Sequence, residues 1–272
     1  MTSLRSILGL KNLSAILRRD FAVRRSYRAY LWFDLIFGVI NVGVYFFISQ
    51  TFGESASKNI DDAPNYFAFV VVGITITLVI QASTTEMVRA LRQEQLTGTL
   101  EALLVQPVKP RELSVGFVLL PVGHAMSRAA VYLLILVFVS HVNVADATWA
   151  GFTGILVATG LAMLSIGIGG CALTLLVKHG EVLVGMLILG MGLLGGALFP
   201  VDVLPNQLDV LSQLVPTRYA FDGARAAVYG GSGLGADFLA LAAFSVITLP
   251  ISLLLFQRAL AAARRAGSLN QY

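Results

Sequence analysis

The chain has 272 residues, of which 57% are hydrophobic and only 12% charged, and its mean hydropathy is +0.80; a water-soluble domain carries roughly a quarter of charged residues. That balance excludes a soluble catalytic domain and leaves room for one membrane domain, because each helix crossing ~30 Å of hydrocarbon needs ~20 residues. The net charge of +4 and pI near 9.4 reflect membrane orientation rather than nucleic-acid binding. A single cysteine, Cys171, rules out a disulfide within the chain and any Cys-based metal or cluster site.

Taken in order, residues 1–29 place Leu4, Ile7, Leu8, Leu13, Ile16, Leu17 and Phe21 at helical spacing among seven basic residues from Arg5 to Arg28. This predicts an amphipathic basic helix in the headgroup region. It is not a signal peptide, since the first long apolar run starts only after Arg28. Six apolar runs follow, Leu31–Phe52, Asn65–Thr85, Leu113–Ser140, Trp149–Val177, Val182–Pro200 and Phe238–Gln257. Each is long enough to span. The predicted fold is therefore an all-α membrane protein of six transmembrane helices, over residues 30–260, with a short cytosolic tail at 261–272.

Six spans place both termini on one side. The N-terminal cations with Arg89, Arg92, Lys109, Arg111, Lys178, Arg258, Arg264 and Arg265 fall on one face, against Lys58, Arg218 and Arg225 on the other, fifteen to three. Positive charge stays inside, so both termini are expected in the cytosol.

Two connections carry pattern. The inner one, within 86–112, has a short helical repeat closed by Pro107 and Pro110. The outer one, 201–236, repeats Leu204, Leu208, Leu211 and Val215 between Pro205 and Pro216, which predicts a short amphipathic helix. A second helix is expected from about Arg218 to Tyr229, capped by Thr217 and ended by Gly230–Gly231.

No GxxxxGK[ST] loop occurs, so no ATP site of that kind is expected in this chain. The Gly-rich stretches at 167–170 and 190–196 read as close-packing surfaces, Gly192 and Gly196 forming one GxxxG spacing that could serve a dimer contact. The three histidines, His124, His141 and His179, are expected at different depths, so no metal site is predicted. Arg128 lies within the third span, one turn after His124, where a charge needs a partner or water. Either it pairs with Asp34, near the start of the first span, or it snorkels to the headgroups. Asp34 is the only carboxylate clearly inside a span, so ion-coupled transport, which needs mid-membrane carboxylates, is not favoured.

The inner segment EQLTGTLEALLVQPVKPREL at 94–113, the outer FPVDVLPNQLDVLSQLVPTRYAFDGAR at 199–225, and six spans behind a basic amphipathic helix together resemble the ABC-2 type permeases. These are the membrane subunits of ATP-binding cassette exporters. The resemblance implies a subunit seated on a separate ABC ATPase and paired with a second permease subunit, a homodimer ahead of a heterodimer, in the cytoplasmic membrane and its lipid. No cofactor is implied for this chain, and ATP and Mg belong to the partner. It also implies a cytosolic coupling helix between spans 2 and 3, with Glu94, Gly98, Thr99, Leu100, Glu101, Leu103, Leu104 and Pro107 at the motif positions.

Between spans 5 and 6 the resemblance implies external re-entrant helices. There Phe199, Pro200, Leu204, Pro205, Pro216, Tyr219 and Phe221 would form an apolar gate, with Arg218–Asp222 or Asp222–Arg225 as ion pairs. Phe33, Phe37, Tyr45 and Phe46 offer an apolar substrate path. The outer motif looks more like the drug and antibiotic-resistance branch than the polysaccharide-export branch. The expected function is export of an amphipathic or hydrophobic compound, with lipid-linked polysaccharide export, a non-transporting scaffold and an ion-coupled carrier as rivals.

Overall fold

The computed structural model describes residues 28–52, 60, 63–100, 110–140, 147–177 and 179–266. The expected N-terminal interfacial helix, Glu101, Leu103, Leu104 and Pro107 lie outside the described residues. Within them the helices are α1 Arg28–Phe52, α2 Tyr66–Ser83, α3 Thr85–Leu96, α4 Pro110–Ser140, α5 Trp149–Leu176, α6 Gly180–Leu194, α7 Asn206–Ser212, α8 Pro216–Tyr229 and α9 Leu234–Ala266. A 3-10 turn at Val201–Val203 precedes α7.

Among the described residues five helical segments are long and apolar enough to cross a membrane: Trp32–Thr51, Tyr66–Leu96, Gly116–Val139, Trp149–Leu176 and Leu234–Arg265. This is a multi-pass membrane protein. In place of the fifth expected run, Val182–Pro200, stands the 15-residue helix α6, which starts two residues earlier and ends at Leu194, about 22 Å long at 1.5 Å per residue. It stops early because Gly196 takes a left-handed φ of 82°, which turns the chain and is open to glycine at little cost. At the other extreme α9 runs on to Ala266, six residues into the expected tail.

Helix α2 is the centre of the bundle, buried nearly throughout. It is rich in β-branched residues that elsewhere favour strands, yet it is helical, because in lipid a backbone must satisfy its own hydrogen bonds. The Asn65 side chain caps it, accepting from the Ala68 amide at 2.8 Å. Thr75, Thr77 and Thr84 turn their hydroxyls back onto carbonyls four residues earlier. After a break at Thr84 the chain resumes as α3.

Register fixes the directions of the helices. Space beside Gly151, Gly154 and Gly169 is bounded by Leu234, Phe238 and Ser252, and the hydroxyls of Ser165 and Thr248 are 2.6 Å apart. The constant offset makes α5 and α9 run parallel. Gly160 faces Val79, Gly167 faces Ser83 and Thr84, and the Cys171 thiol approaches the Met87 carbonyl, so the α2–α3 pair runs parallel to α5 as well. One end of the bundle therefore gathers Tyr66, Trp149 and Leu234, and the other gathers Leu96, Leu176 and Arg264.

Candidate functional site

Three clusters hold the residues singled out above. At the Leu96 end α3 closes in a turn. Gly98 has φ 71° and lies just past the Thr97 cap, whose amide donates to Gln93 O. The Thr99 hydroxyl bonds the Glu94 carboxylate and lies 2.8 Å from the Thr97 hydroxyl. This turn sends Leu100 into the core, where it is fully buried in the same apolar cluster as Leu91. Glu94, Gly98, Thr99 and Leu100 are thus one compact turn, with Gly98 and Thr99 exposed and Leu100 as its anchor.

At the Trp149 end the chain leaves α6, turns at Gly196 and enters α7 and α8. Prolines bracket α7 as expected, limiting it to seven residues. Helix α8 begins at Pro216, two residues earlier than expected, and ends at Gly230 with φ 76°. Thr217 does not cap it. It lies inside the first turn and donates its hydroxyl to the Met191 carbonyl of α6 at 2.5 Å.

Ala220, Gly223, Ala224 and Ala227 form one stripe of small, buried residues on α8, which lets it lie close against α5 and α9. A methyl at Gly223 would overlap Ile155 and crowd Asp237, while the Thr148 amide donates to Ala227 O at 2.8 Å. Because Ala227 meets the start of α5 and Gly223 meets Ile155 further along it, α8 runs antiparallel to α5. Its Pro216 end is the more deeply inserted one, so α7 and α8 form a hairpin folded back into the bundle.

Of the residues expected in the gate, Phe221, Pro200 and Pro216 are buried, Phe199, Leu204 and Tyr219 are half-buried, and Pro205 is exposed. The Tyr219 hydroxyl donates to Gln213 O at 2.8 Å. Arg218 makes its closest contacts across the hairpin, to Asp209 at 3.0 Å and the Ser212 hydroxyl at 2.6 Å. The expected pairs of Asp222 are longer, 3.7 Å to Arg218 and 3.8 Å to Arg225.

Arg225 points inward, 2% exposed. Its guanidinium lies 3.5 Å over the Phe69 ring and donates to Gly196 O at 2.7 Å. With the Tyr229 hydroxyl donating to Ala68 O at 2.9 Å, it pins the hairpin to α2. Burial pushes the Tyr229 phenol well above its ordinary pKa, against the opposing charge of Arg225, so it stays a donor. A cavity of about 230 Å3 opens beside α8, its wall carrying Asp202, Arg218, Asp222, Arg225 and Asp237.

The third cluster joins α1 and α4. Arg128 donates to Asp34 at 2.8 Å and to the Tyr132 hydroxyl at 2.8 Å, and His124 Nε2 lies 3.9 Å from the same Asp34 oxygen. Of the two readings of Arg128, pairing holds. The pair is also deeper than expected. Phe46 meets Phe67 edge to face at 5.4 Å, and twelve residues back along α1 and on along α2 place Asp34 level with Val79. Val79 faces Gly160, near mid-length of α5. The substrate-path aromatics do not converge: Phe33 and Phe37 are exposed, whereas Tyr45 and Phe46 pack on the core.

Asp209, Phe69 and Tyr132 were not singled out in the sequence. Asp209 lies in the helix before Pro216, so only the hairpin brings it to Arg218. Phe69 and Tyr132 sit in apolar runs where an aromatic carries no distinguishing signal. Among the described residues no group of His, Cys, Asp and Glu could hold a metal ion.

No curated protein matches the sequence. Residues 11–229 match the family model described as ABC-2 type transporter, a stretch that takes in the Gly98 turn, the ion pair and the hairpin through Tyr229. With that match covering most of its length, the chain belongs to the ABC-2 type transporter family and is a membrane permease component.

Proposed function

We propose that the chain is the permease subunit of an ATP-driven exporter of an amphipathic or hydrophobic compound such as a drug, antibiotic, lipid or glycolipid. It works in the cytoplasmic membrane with both termini in the cytosol, as one of two permease subunits. A separate ABC ATPase supplies the ATP and Mg site. The turn at Glu94–Leu100, with Glu101, Leu103, Leu104 and Pro107 beyond it, docks on that ATPase, and the α7–α8 hairpin is the external gate. Helix α6, with the chain that follows it, is the fifth of six passes, and residues 1–29 lie in the interface.

The observation that carries this reading is the α2–α3 rod. Tyr66–Leu96 is a run of 31 residues made of two helices that meet at Thr84, about 46 Å at 1.5 Å per residue. One end carries the Gly98 turn, and the other holds the hairpin through Ala68, Phe69 and Gly73. A methyl at Gly73 would overlap the Ala197 carbonyl, so the contact there is backbone on backbone. A push on the turn therefore reaches the hairpin through two successive helices joined at Thr84 and packed along α5, and rigid-body transmission needs such a continuous path. An amphiphile needs no polar site in the spans for this, because an apolar compound can pass along apolar side chains.

The test is purification of the chain from its native membrane under mild conditions, with mass identification of what accompanies it and an ATP hydrolysis assay. We expect a stoichiometric ABC ATPase. Charge reversal by Glu94→Lys with Glu101→Lys should abolish coupling between hydrolysis and transport, because it replaces two carboxylates that would pair with Arg or Lys on the partner by like charges. A clean oligomer without any ATPase would end the exporter reading. Unchanged substrate-stimulated hydrolysis in the double variant would end the coupling assignment alone.

A further inference from the structure

The cavity beside α8 is bounded by the 3-10 turn after α6, by one face of α8 and by the first turn of α9. Arg218, Asp222 and Arg225 follow one another at four and three residues along that face. Asp202 comes from the 3-10 turn and Asp237 from α9, with the exposed Ser232 also in the wall. Three carboxylates thus stand with two guanidiniums. Both cations have their closest partners elsewhere, Arg218 in Asp209 and Ser212, Arg225 in the Gly196 carbonyl and the Phe69 ring. Asp222 reaches the two only at 3.7 and 3.8 Å.

Asp237 makes no hydrogen bond or ion pair among the described residues, and Arg218 acts on it only as a charge at longer range. The wall therefore holds more negative charge than it neutralises. A half-buried carboxylate without a donor is costly, and a cation in the cavity would supply one.

The kind of cation follows from the rest of the wall. Among the described residues no group of His, Cys, Asp and Glu converges to hold a metal ion, so the negative charge is spread around about 230 Å3, room for an organic group. Quaternary ammonium groups are recognised by aromatic faces, and none of the described wall residues is aromatic. Carboxylates and a hydroxyl suit instead an ammonium that carries N–H donors. Asp237 stands in the first turn of a long apolar helix, and Val203 and Leu239, next to Asp202 and two residues past Asp237, are exposed. An apolar tail can therefore stay in lipid while its head enters the cavity.

We infer that the cavity binds the protonated amine of an amphiphile, with Asp237 as its principal acceptor and Asp222 as the second, and that the exported compound belongs to this class. The substrate class rests on the exporter reading, whereas the site does not.

The test places Ser232→Cys in a Cys171→Ala chain, where the rate of reaction with a maleimide at neutral pH reads occupancy of the cavity. The chain is held, with any ATPase that accompanies it, in phosphatidylcholine nanodiscs, whose quaternary headgroup offers no N–H. The probes are dodecylamine, protonated at neutral pH as a lysine side chain is, and dodecanol and dodecanoate of the same chain length, all below solubilising concentrations. We expect dodecylamine alone to slow the labelling. Asp237→Asn should raise the concentration it needs about tenfold, for the loss of one charge-assisted hydrogen bond. Adding phosphatidylethanolamine to the nanodisc separates two sources of the amine. Labelling slowed by that lipid alone identifies a membrane lipid, labelling slowed only by dodecylamine identifies a free amphiphile, and both uphold the site.

Equal slowing by dodecanol, or an unchanged dodecylamine dependence in Asp237→Asn, would overturn the site. Where an ATPase accompanies the chain, the amine that slows labelling should stimulate hydrolysis over the same concentrations. Slowed labelling without stimulation would overturn the substrate class and leave the site and the exporter reading standing. If no ATPase accompanies the chain, the exporter reading fails, and labelling alone decides the site. Should Asp237→Asn fail to insert, the three amphiphiles on the chain with native Asp237 still decide.

Discussion

Arg225 is the residue whose role changes most between its chemistry and its setting. A guanidinium can stack its plane on a ring and still donate in that plane, which a lysine ammonium cannot do. Here it does both, on Phe69 and on the Gly196 carbonyl, where the chain turns between α6 and the hairpin. Arg225→Lys should therefore cost about 2 kcal/mol, from loss of the stack and of a charge-assisted hydrogen bond. Cys171 is buried and reports unfolding when it becomes reactive, so a thiol-reactive dye followed during heating reads the midpoint. A midpoint equal to that of the unaltered chain would show that the planar fork is not what holds the hairpin. Arg218, by contrast, ties α7 to α8 at a partly exposed site, where an ion pair contributes about 1 kcal/mol at most. Loss of Arg218 should be felt much less than loss of Arg225.

Among the elements, the glycines of α5 divide those that permit packing from those that merely occur. A methyl at Gly167 would overlap the Ser83 carbonyl, and one at Gly170 would crowd both Val184 and Val88, while Gly192 on α6 has nothing within contact distance. Gly167→Val should destabilise by about 3 kcal/mol, since a backbone atom cannot move aside. Gly192→Ala should be neutral or stabilise by up to ~1 kcal/mol through helix propensity. The same dye assay on both variants checks this, and equal midpoints would dissolve the distinction. The spacing of Gly192 and Gly196 looked like a packing motif, but Gly196 is a turn residue and Gly192 faces open space in the single subunit. The sequence could not tell these glycines apart, because what lies opposite a glycine depends on register. Helix limits were legible to within a few residues where a capping residue, a proline or the edge of an apolar run marked the end, as at Asn65, Pro216 and Trp149. The early end of α6 was not legible, because the left-handed φ of Gly196 leaves no mark in an apolar run. Asp34 and Arg128 were legible as candidates, being charges in apolar runs. Their pairing needed α1 and α4 to run parallel. The inward turn of Arg225 was not legible, since both faces of α8 carry small residues and charge.

For the molecule as a whole, the two ends differ in charge. Arg89, Arg92, Arg258, Arg264 and Arg265 gather at the Leu96 end, while Arg218 and Arg225 lie in α8 at the other and are engaged with Asp209, Asp222, Phe69 and backbone carbonyls. Cations resist translocation when they lie in short connections near the ends of spans, so the Leu96 end should face the cytosol. Thr97 and Ser232 are exposed at opposite ends and allow a direct measurement in a Cys171→Ala chain. A cysteine at Ser232 should react with a membrane-impermeant maleimide on intact cells. A cysteine at Thr97 should react only after permeabilisation. ATP is cytosolic, so the Gly98 turn can meet an ATPase only in this orientation. Labelling of Thr97→Cys on intact cells, with Ser232→Cys protected, would invert the molecule and remove the proposed coupling turn from the side where ATP is found. The expected pattern would instead put the hairpin, its cavity and the end of the α2–α3 rod on the external side, where a gate must open.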